Sequence, residues 1–147
     1  MQIQENTNDS TTLAPSPTVS LPKPQTTSQI SPDGTKLLTM TQTTNQDTTK
    51  NYSIVASDAD GGNQQTIYNA SASAKASMSI PFNTWSPDDR FVFVNRTDGE
   101  GTSAIIMRAD GAPLTSSSQT FDAKAMFDAK GTGNNYELAT GWASETL

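Results

Sequence analysis

The 147-residue chain contains no cysteine and no histidine, and only 16% of its residues are charged. Without cysteine there is no disulfide scaffold, no thiolate nucleophile and no cysteine-type zinc site, although the redox compartment stays open. Without histidine the commonest general base and the commonest transition-metal ligand are both missing. No apolar run approaches the roughly 18–20 residues that span a bilayer. The start, Met1-Gln2-Ile3-Gln4-Glu5-Asn6, also lacks the basic and apolar regions of a signal peptide. The chain is expected to be soluble, to carry no address of its own and to make no direct membrane contact. Apolar residues are scarce as well, at 33% against about 45–50% in globular chains, a benchmark that counts glycine.

Ser, Thr, Asn, Gln and Gly fill that gap. A polar, weakly charged, Thr-rich composition suits antiparallel sheets with many turns better than helices. The net charge of −6 and pI near 4.4 exclude a nucleic-acid partner, which calls for a basic stripe. They equally disfavour docking on anionic lipid.

Residues 1–27 read as a disordered Pro/Thr/Ser-rich tether, with prolines at 15, 17, 22 and 24. Proline at that density favours extended polyproline-like chain and leaves no apolar face to bury.

From Ser28 onward a repeat takes over. Trp85-Ser86-Pro87-Asp88-Asp89-Arg90 is followed by the strand-like run Phe91–Asn95, and Ile30-Ser31-Pro32-Asp33-Gly34 is followed by a similar run from Thr35. Proline presets the second position of a tight turn, while Ser and Asp close it with their own side chains. A worn third copy is Trp142-Ala143-Ser144-Glu145-Thr146-Leu147, so Ile30, Trp85 and Trp142 fall in register at intervals of 55 and 57 residues. The turns Ala59-Asp60-Gly61 and Ala109-Asp110-Gly111 repeat independently of that motif. Predicted strands are Thr35–Gln42, Tyr52–Ser57, Gln64–Tyr68, Phe91–Asn95, Ser103–Arg108, a weaker Pro113–Thr120, and Tyr136–Trp142. Asn69–Ser77 is expected to be a loop, and Ala123–Lys130 a short helix capped by Gly131. The expected class is all-β, in antiparallel four-stranded units that have the make-up of β-propeller blades. The blades would span residues 28–77 and 78–135, with the start of a third at 136–147.

These residues resemble the repeat of TolB-like β-propellers, which also occurs in the propellers of tricorn-type and prolyl-oligopeptidase-type peptidases. Ser31, Pro32, Asp33 and Gly34 with Asp60 and Gly61 match the repeat, as do Trp85, Ser86, Pro87 and Asp88 with Asp110 and Gly111. Trp142 opens the eroded copy. Departures are Ile30 for Trp, Asp89 for Gly, and Ala143-Ser144-Glu145 for Ser-Pro-Asp. The resemblance implies a ring of six or more blades, of which this chain supplies a fragment or which it completes by self-association. It also implies an extracytoplasmic setting and a non-catalytic module that binds a protein or glycan partner. The alternative is the gating propeller of a larger prolyl-oligopeptidase-like serine peptidase whose catalytic domain lies outside this chain. A third option is a secreted lyase or glycosidase propeller, which would need histidine or ligand clusters that this portion lacks.

The residues themselves offer little chemistry. Trp85, Phe91, Phe93, Ile105, Met107 and Trp142 read as packing between sheets rather than a ligand site. Asp33, Asp88 and Asp89 read as turn-closing residues rather than an acid/base pair, since a solvated turn offers no cause for a perturbed pKa. Asp58-Ala59-Asp60-Gly61-Gly62 lacks the third oxygen ligand before the glycine and the distal bidentate glutamate of a calcium loop, and Gly99-Glu100-Gly101 opens no helix and so is no dinucleotide fingerprint. No serine has a histidine base or lies in a Gly-x-Ser-x-Gly elbow. No catalytic, cofactor-binding or metal residue is assigned, and no cofactor is expected.

Overall fold

The structure, a computed structural model, describes residues 20–131 and 138–143. Strands β1 (Gln25–Ile30), β2 (Lys36–Thr44), β3 (Lys50–Asp58) and β4 (Gln65–Ala72) pair antiparallel in sequence order. Strands β5 (Ser77–Ser79), β6 (Phe91–Asp98), β7 (Gly101–Arg108) and β8 (Thr120–Asp122) do the same, and helix α1 (Ala123–Ala129) follows. The fold is therefore mostly β, in two antiparallel four-stranded sheets.

Several boundaries differ from the sequence expectation. The first sheet begins at Gln25 rather than Ser28, because Thr26 and Thr27 pair with Thr41 and Met40. Asn69–Ala72, expected as loop, extends β4 along β3. The fourth strand of the second sheet is Thr120–Asp122 and not Pro113–Thr120. Pro113 cannot donate to a ladder, and Thr115 closes a local turn by accepting the Ser117 and Ser118 amides. Leu138–Trp142 lies outside any strand. Tyr136, Glu137 and Ser144–Leu147, the rest of the expected third unit, lie outside the described residues. Helix α1 does form: the Asp122 side chain accepts the Ala125 amide at its N-cap, and Gly131 follows at φ +60°.

Strict alternation sets the faces of the first sheet. Tyr52, Ile54 and Ala56 of β3 are buried, together with Leu38 and Met40 of β2. A β-bulge between Ile54 and Val55 lets both Ile67 and Tyr68 turn toward the same core. That face packs on Val92, Val94, Ile105 and Met107 of the second sheet, with Met78 and Trp85. At about 1.5–3 kcal/mol for each fully buried large aliphatic side chain, this interface is the main source of stability.

The two outer faces differ. Thr39, Thr41, Thr43, Asn51, Ser53 and Ser71 alternate with core residues on the first sheet, so its far side is uncharged and mostly polar, with Leu37 and Val55 among the hydroxyls. The second sheet carries a smaller apolar cluster on its far side, where Phe93, Ala104 and Ala123 receive Ile106, Ala139 and Trp142. With both faces of β6 covered, the run Phe91–Val94 is apolar without alternation, and the four residues Val92–Asn95 are buried in succession.

Two tryptophans bond back to an earlier part of the chain in the same way. The Trp85 indole N–H donates to the Gln29 carbonyl at 3.0 Å, 56 residues away, and the Trp142 indole N–H donates to the Thr84 carbonyl at 3.0 Å, 58 residues away. Gln29 precedes Ile30 as Thr84 precedes Trp85, so each indole reaches the equivalent carbonyl one unit back. One irregularity breaks the match. Ser79 pairs with Asn95 and Trp85 with Val92, which leaves three more residues on the incoming strand than on its partner. The excess loops out around Pro81 and Phe82, and Phe82 is 82% exposed.

Candidate functional site

One end of the two-sheet stack gathers the two Ser-Pro-Asp turns and the two Asp-Gly turns. The Ser-Pro-Asp turn joins β1 to β2, and the Asp-Gly turn after β3 returns to the same end, where the Ala59 amide donates to the Thr35 carbonyl at 2.8 Å. In the second sheet the Ala109 amide donates to the Arg90 carbonyl at 2.9 Å.

Each Ser-Pro-Asp turn is closed by the same side-chain relay. Ser31 Oγ donates to Asp33 Oδ1 at 2.7 Å and accepts the Lys36 amide at 3.0 Å. Ser86 Oγ donates to Asp88 Oδ1 at 2.6 Å and accepts the Phe91 amide at 2.9 Å. Both serines are buried, so each hydroxyl is spent on the turn and is not presented as a nucleophile. Pro32 and Pro87 are exposed and preset the turns. Gly34 (φ +75°) and Asp89 (φ +56°) hold the left-handed position that follows. Asp60 and Asp110 accept the amides of Gly62 (2.8 Å) and Ala112 (3.0 Å), and Gly61 and Gly111 supply positive φ. A Cβ on Gly111 would come within 3.1 Å of the Gln65 side chain. Trp85 packs in the core between the two sheets, and Trp142 in the apolar cluster on the far side of the second.

Tertiary packing adds two things that the sequence did not show. Arg108 grips Asp110 with two nitrogens, at 2.9 and 2.5 Å, and Arg108 and Arg90 flank the Phe91 ring at 6.0 and 5.7 Å. The spacing of Arg and Asp two residues apart was the available signal. Second, the turns of the two sheets meet through Asp89 and Asp33. Partial burial and the neighbouring Asp33 and Asp88 charges push the Asp89 carboxyl upward. The expectation that a solvated turn holds no perturbed carboxyl therefore fails at Asp89. Asp33 moves the other way, to about 2, because the Thr35 amide and the Ser31 and Thr35 hydroxyls stabilise its anion. Asp110 is held at about 2, chiefly by Arg108 and the Ala112 amide.

Lys36, Asp89, Arg90, Arg108, Ala109 and Asp110 enclose a cavity of about 150 Å³. Among the described residues, no group of three or more carboxylates is placed to hold a metal ion, and no helix is long and apolar enough to cross a membrane. The cluster alternates positive and negative side chains drawn from both sheets.

The shifts set opposing pH dependences. Asp33 and Asp110 are depressed, so their stabilisation is present above the ordinary value of 3.8 and is lost as pH falls toward about 2. Asp89 is raised, so its contribution is full below 3.8 and is lost as pH rises through its elevated value. Asp89→Asn removes the ionised form and suits a left-handed position. It is expected to raise Tm at pH 7, with the gain shrinking below pH 4 in thermal melts. A gain that persists unchanged at pH 3 would show that charge is not the cause.

Searches against protein-family models, curated proteins and solved structures find no match to this chain.

Proposed function

We propose that the chain is part of an extracytoplasmic TolB-like β-propeller and acts as a non-catalytic binding module. Its two sheets are successive blades, Trp142 opens a third, and the turn end faces a protein or glycan partner. The observation that carries this reading is the repeated indole-to-carbonyl bond, Trp85 to Gln29 between the two sheets and Trp142 to Thr84 on the far side of the second. A repeat that contacts only its neighbours, in one recurring geometry, is the behaviour of an array.

The unlike outer faces bear on how the array would continue. Head-to-tail self-association would lay the apolar far side of one copy's second sheet on the Thr/Ser/Asn side of another copy's first sheet. Those hydroxyls, interrupted by Leu37 and Val55, offer less apolar surface than Val92, Val94, Ile105 and Met107 present between the two sheets of one chain. The reading therefore favours a further blade with an apolar face over a second copy of this chain.

Hydrogen exchange in the presence of extracytoplasmic protein and glycan fractions tests the module. Slowed exchange at residues 31–35, 58–64, 86–90 and 109–113 is expected, with no turnover of chromogenic peptides or glycosides. Turnover abolished by Ser31→Ala or Ser86→Ala would overturn the non-catalytic reading.

A further inference from the structure

Strand β1 lies at the end of its sheet and, among the described residues, pairs only with β2. The Ser31 amide donates to the Lys36 carbonyl at 2.9 Å, which fixes the phase of that ladder. Antiparallel alternation then turns the backbone N–H and C=O of Thr26, Ser28 and Ile30 away from β2. Edge strands ordinarily carry a charge, a proline or a bulge, or are too short to template another strand. β5 and β8 are three residues long, and β4 meets β3 through a bulge. β1 has six residues, no charge, no proline and an unbroken register, and all of it but Gln29 is exposed. A cleft of about 380 Å³ beside Gln29 to Pro32 leaves its Ile30 end open.

The prolines that flank the strand fix how a second copy can join it. Two copies related by a two-fold axis present the same edge to each other and pair antiparallel. Hydrogen-bonded pairs must join residues whose backbone groups both face the gap. With the axis at Ser28, Thr26 of each copy bonds Ile30 of the other and Ser28 bonds its equivalent, so every outward residue is used. Moving the axis by one residue would set Ile30 against Pro24 or Thr26 against Pro32, and proline has no N–H to give. The axis at Ser28 also brings Lys23 of each copy level with Asp33 of the other, a match of charges made twice by symmetry. The side chains of Thr26, Ser28 and Ile30 lie on the uncharged outer face, so no like charges oppose each other across the seam. Ile30, 50% exposed, gains a β-branched cross-strand neighbour in Thr26 of the second copy.

We propose that the β1 edge, from Thr26 to Ile30, is a dimer interface at which a second copy of this chain lays its own β1 antiparallel, so that two four-stranded sheets become one of eight strands. The two-fold consumes the edge in both copies, and assembly stops at the dimer. Pairing runs in the plane of the sheet and leaves both outer faces free for the stacking of a further blade.

Sedimentation velocity of the full chain should show a monomer–dimer equilibrium that follows concentration and goes no further than the dimer. Ser28→Pro removes an outward N–H and no bond to β2, so it should abolish the dimer and leave the far-ultraviolet circular dichroism unchanged. Lys23→Glu, outside the strand, should raise the dimer dissociation constant about tenfold, whereas Lys23→Arg should not. The chain has no cysteine, so Ser28→Cys places a single thiol on the axis. Hydrogen-bonded pairs hold their Cα atoms about 5.5 Å apart, within reach of a disulfide. Mild oxidation should therefore link Ser28→Cys chains in pairs and leave Ser53→Cys chains, with the thiol on β3, unlinked. A chain that stays monomeric at every concentration would overturn the proposal. A dimer that survives Ser28→Pro undiminished, or that cross-links through Ser53→Cys and not Ser28→Cys, would overturn it as well.

Discussion

Trp85→Ala is expected to destabilise the protein by about 3–5 kcal/mol, the range for deleting a buried aromatic side chain from a core. Trp85 is 4% exposed, lies in the cluster that joins the two sheets, and donates across that interface to Gln29. Its removal opens a cavity between the sheets and orphans a carbonyl at once. Against a total stability of about 5–15 kcal/mol for a typical domain, such a loss leaves a large unfolded fraction. Trp85→Phe keeps most of the apolar volume and forfeits the hydrogen bond, so it should fall well short of the alanine variant. Urea unfolding followed by far-ultraviolet circular dichroism distinguishes the cases. A Trp85→Ala cost below about 1 kcal/mol, the level of an ordinary surface change, would mean that the sheets do not share one core. Trp142→Ala is the internal comparison. Trp142 makes the same kind of bond to Thr84, but its ring is only half-buried, against Phe91 and Phe93 at 6.3 and 5.9 Å, and its loss should cost less.

Ile54→Ala should cost about 2–5 kcal/mol, whereas Val55→Ala, one residue along the same strand, should cost about 1 kcal/mol or less. Ile54 is fully buried at the centre of β3 and faces the second sheet, while Val55 lies on the polar far side. The pair tests register directly, because a shift of one residue exchanges the two faces of a strand. Equal costs, measured by the same urea midpoints, would contradict the placement of β3.

The strands were most legible where one face is wet. Tyr52, Ile54 and Ala56 alternate with Ser53, Val55 and Ser57, and burial follows that alternation residue by residue. Legibility fell where pairing partners decide the length of a strand. Gln25–Thr27 looked like tether because its composition is polar, yet it pairs along β2, whose own bonding capacity reaches that far. Pro113–Thr120 looked like a weak strand, but the Thr115 hydroxyl offered its neighbours a local turn instead. Within the candidate site, the roles of Ser31, Asp33, Ser86 and Asp88 could be read in advance, because the partners that close each turn lie within five residues. The raised carboxyl of Asp89 could not, because burial and the Asp33 carboxylate of the other sheet's turn raise it, and both arise only when the turns meet.

The sequence by itself determined the turns and the repeat. Ser-Pro-Asp and Asp-Gly close through bonds so short in sequence that backbone geometry and side-chain reach dictate them. Tertiary structure decided which turns face each other, which carbonyl each indole finds, and that Pro81 and Phe82 loop outward. Trp85 and Gln29, or Trp142 and Thr84, meet only after two sheets have docked. Contacts over such spans depend on how apolar faces pack, and no local pattern of residues encodes them.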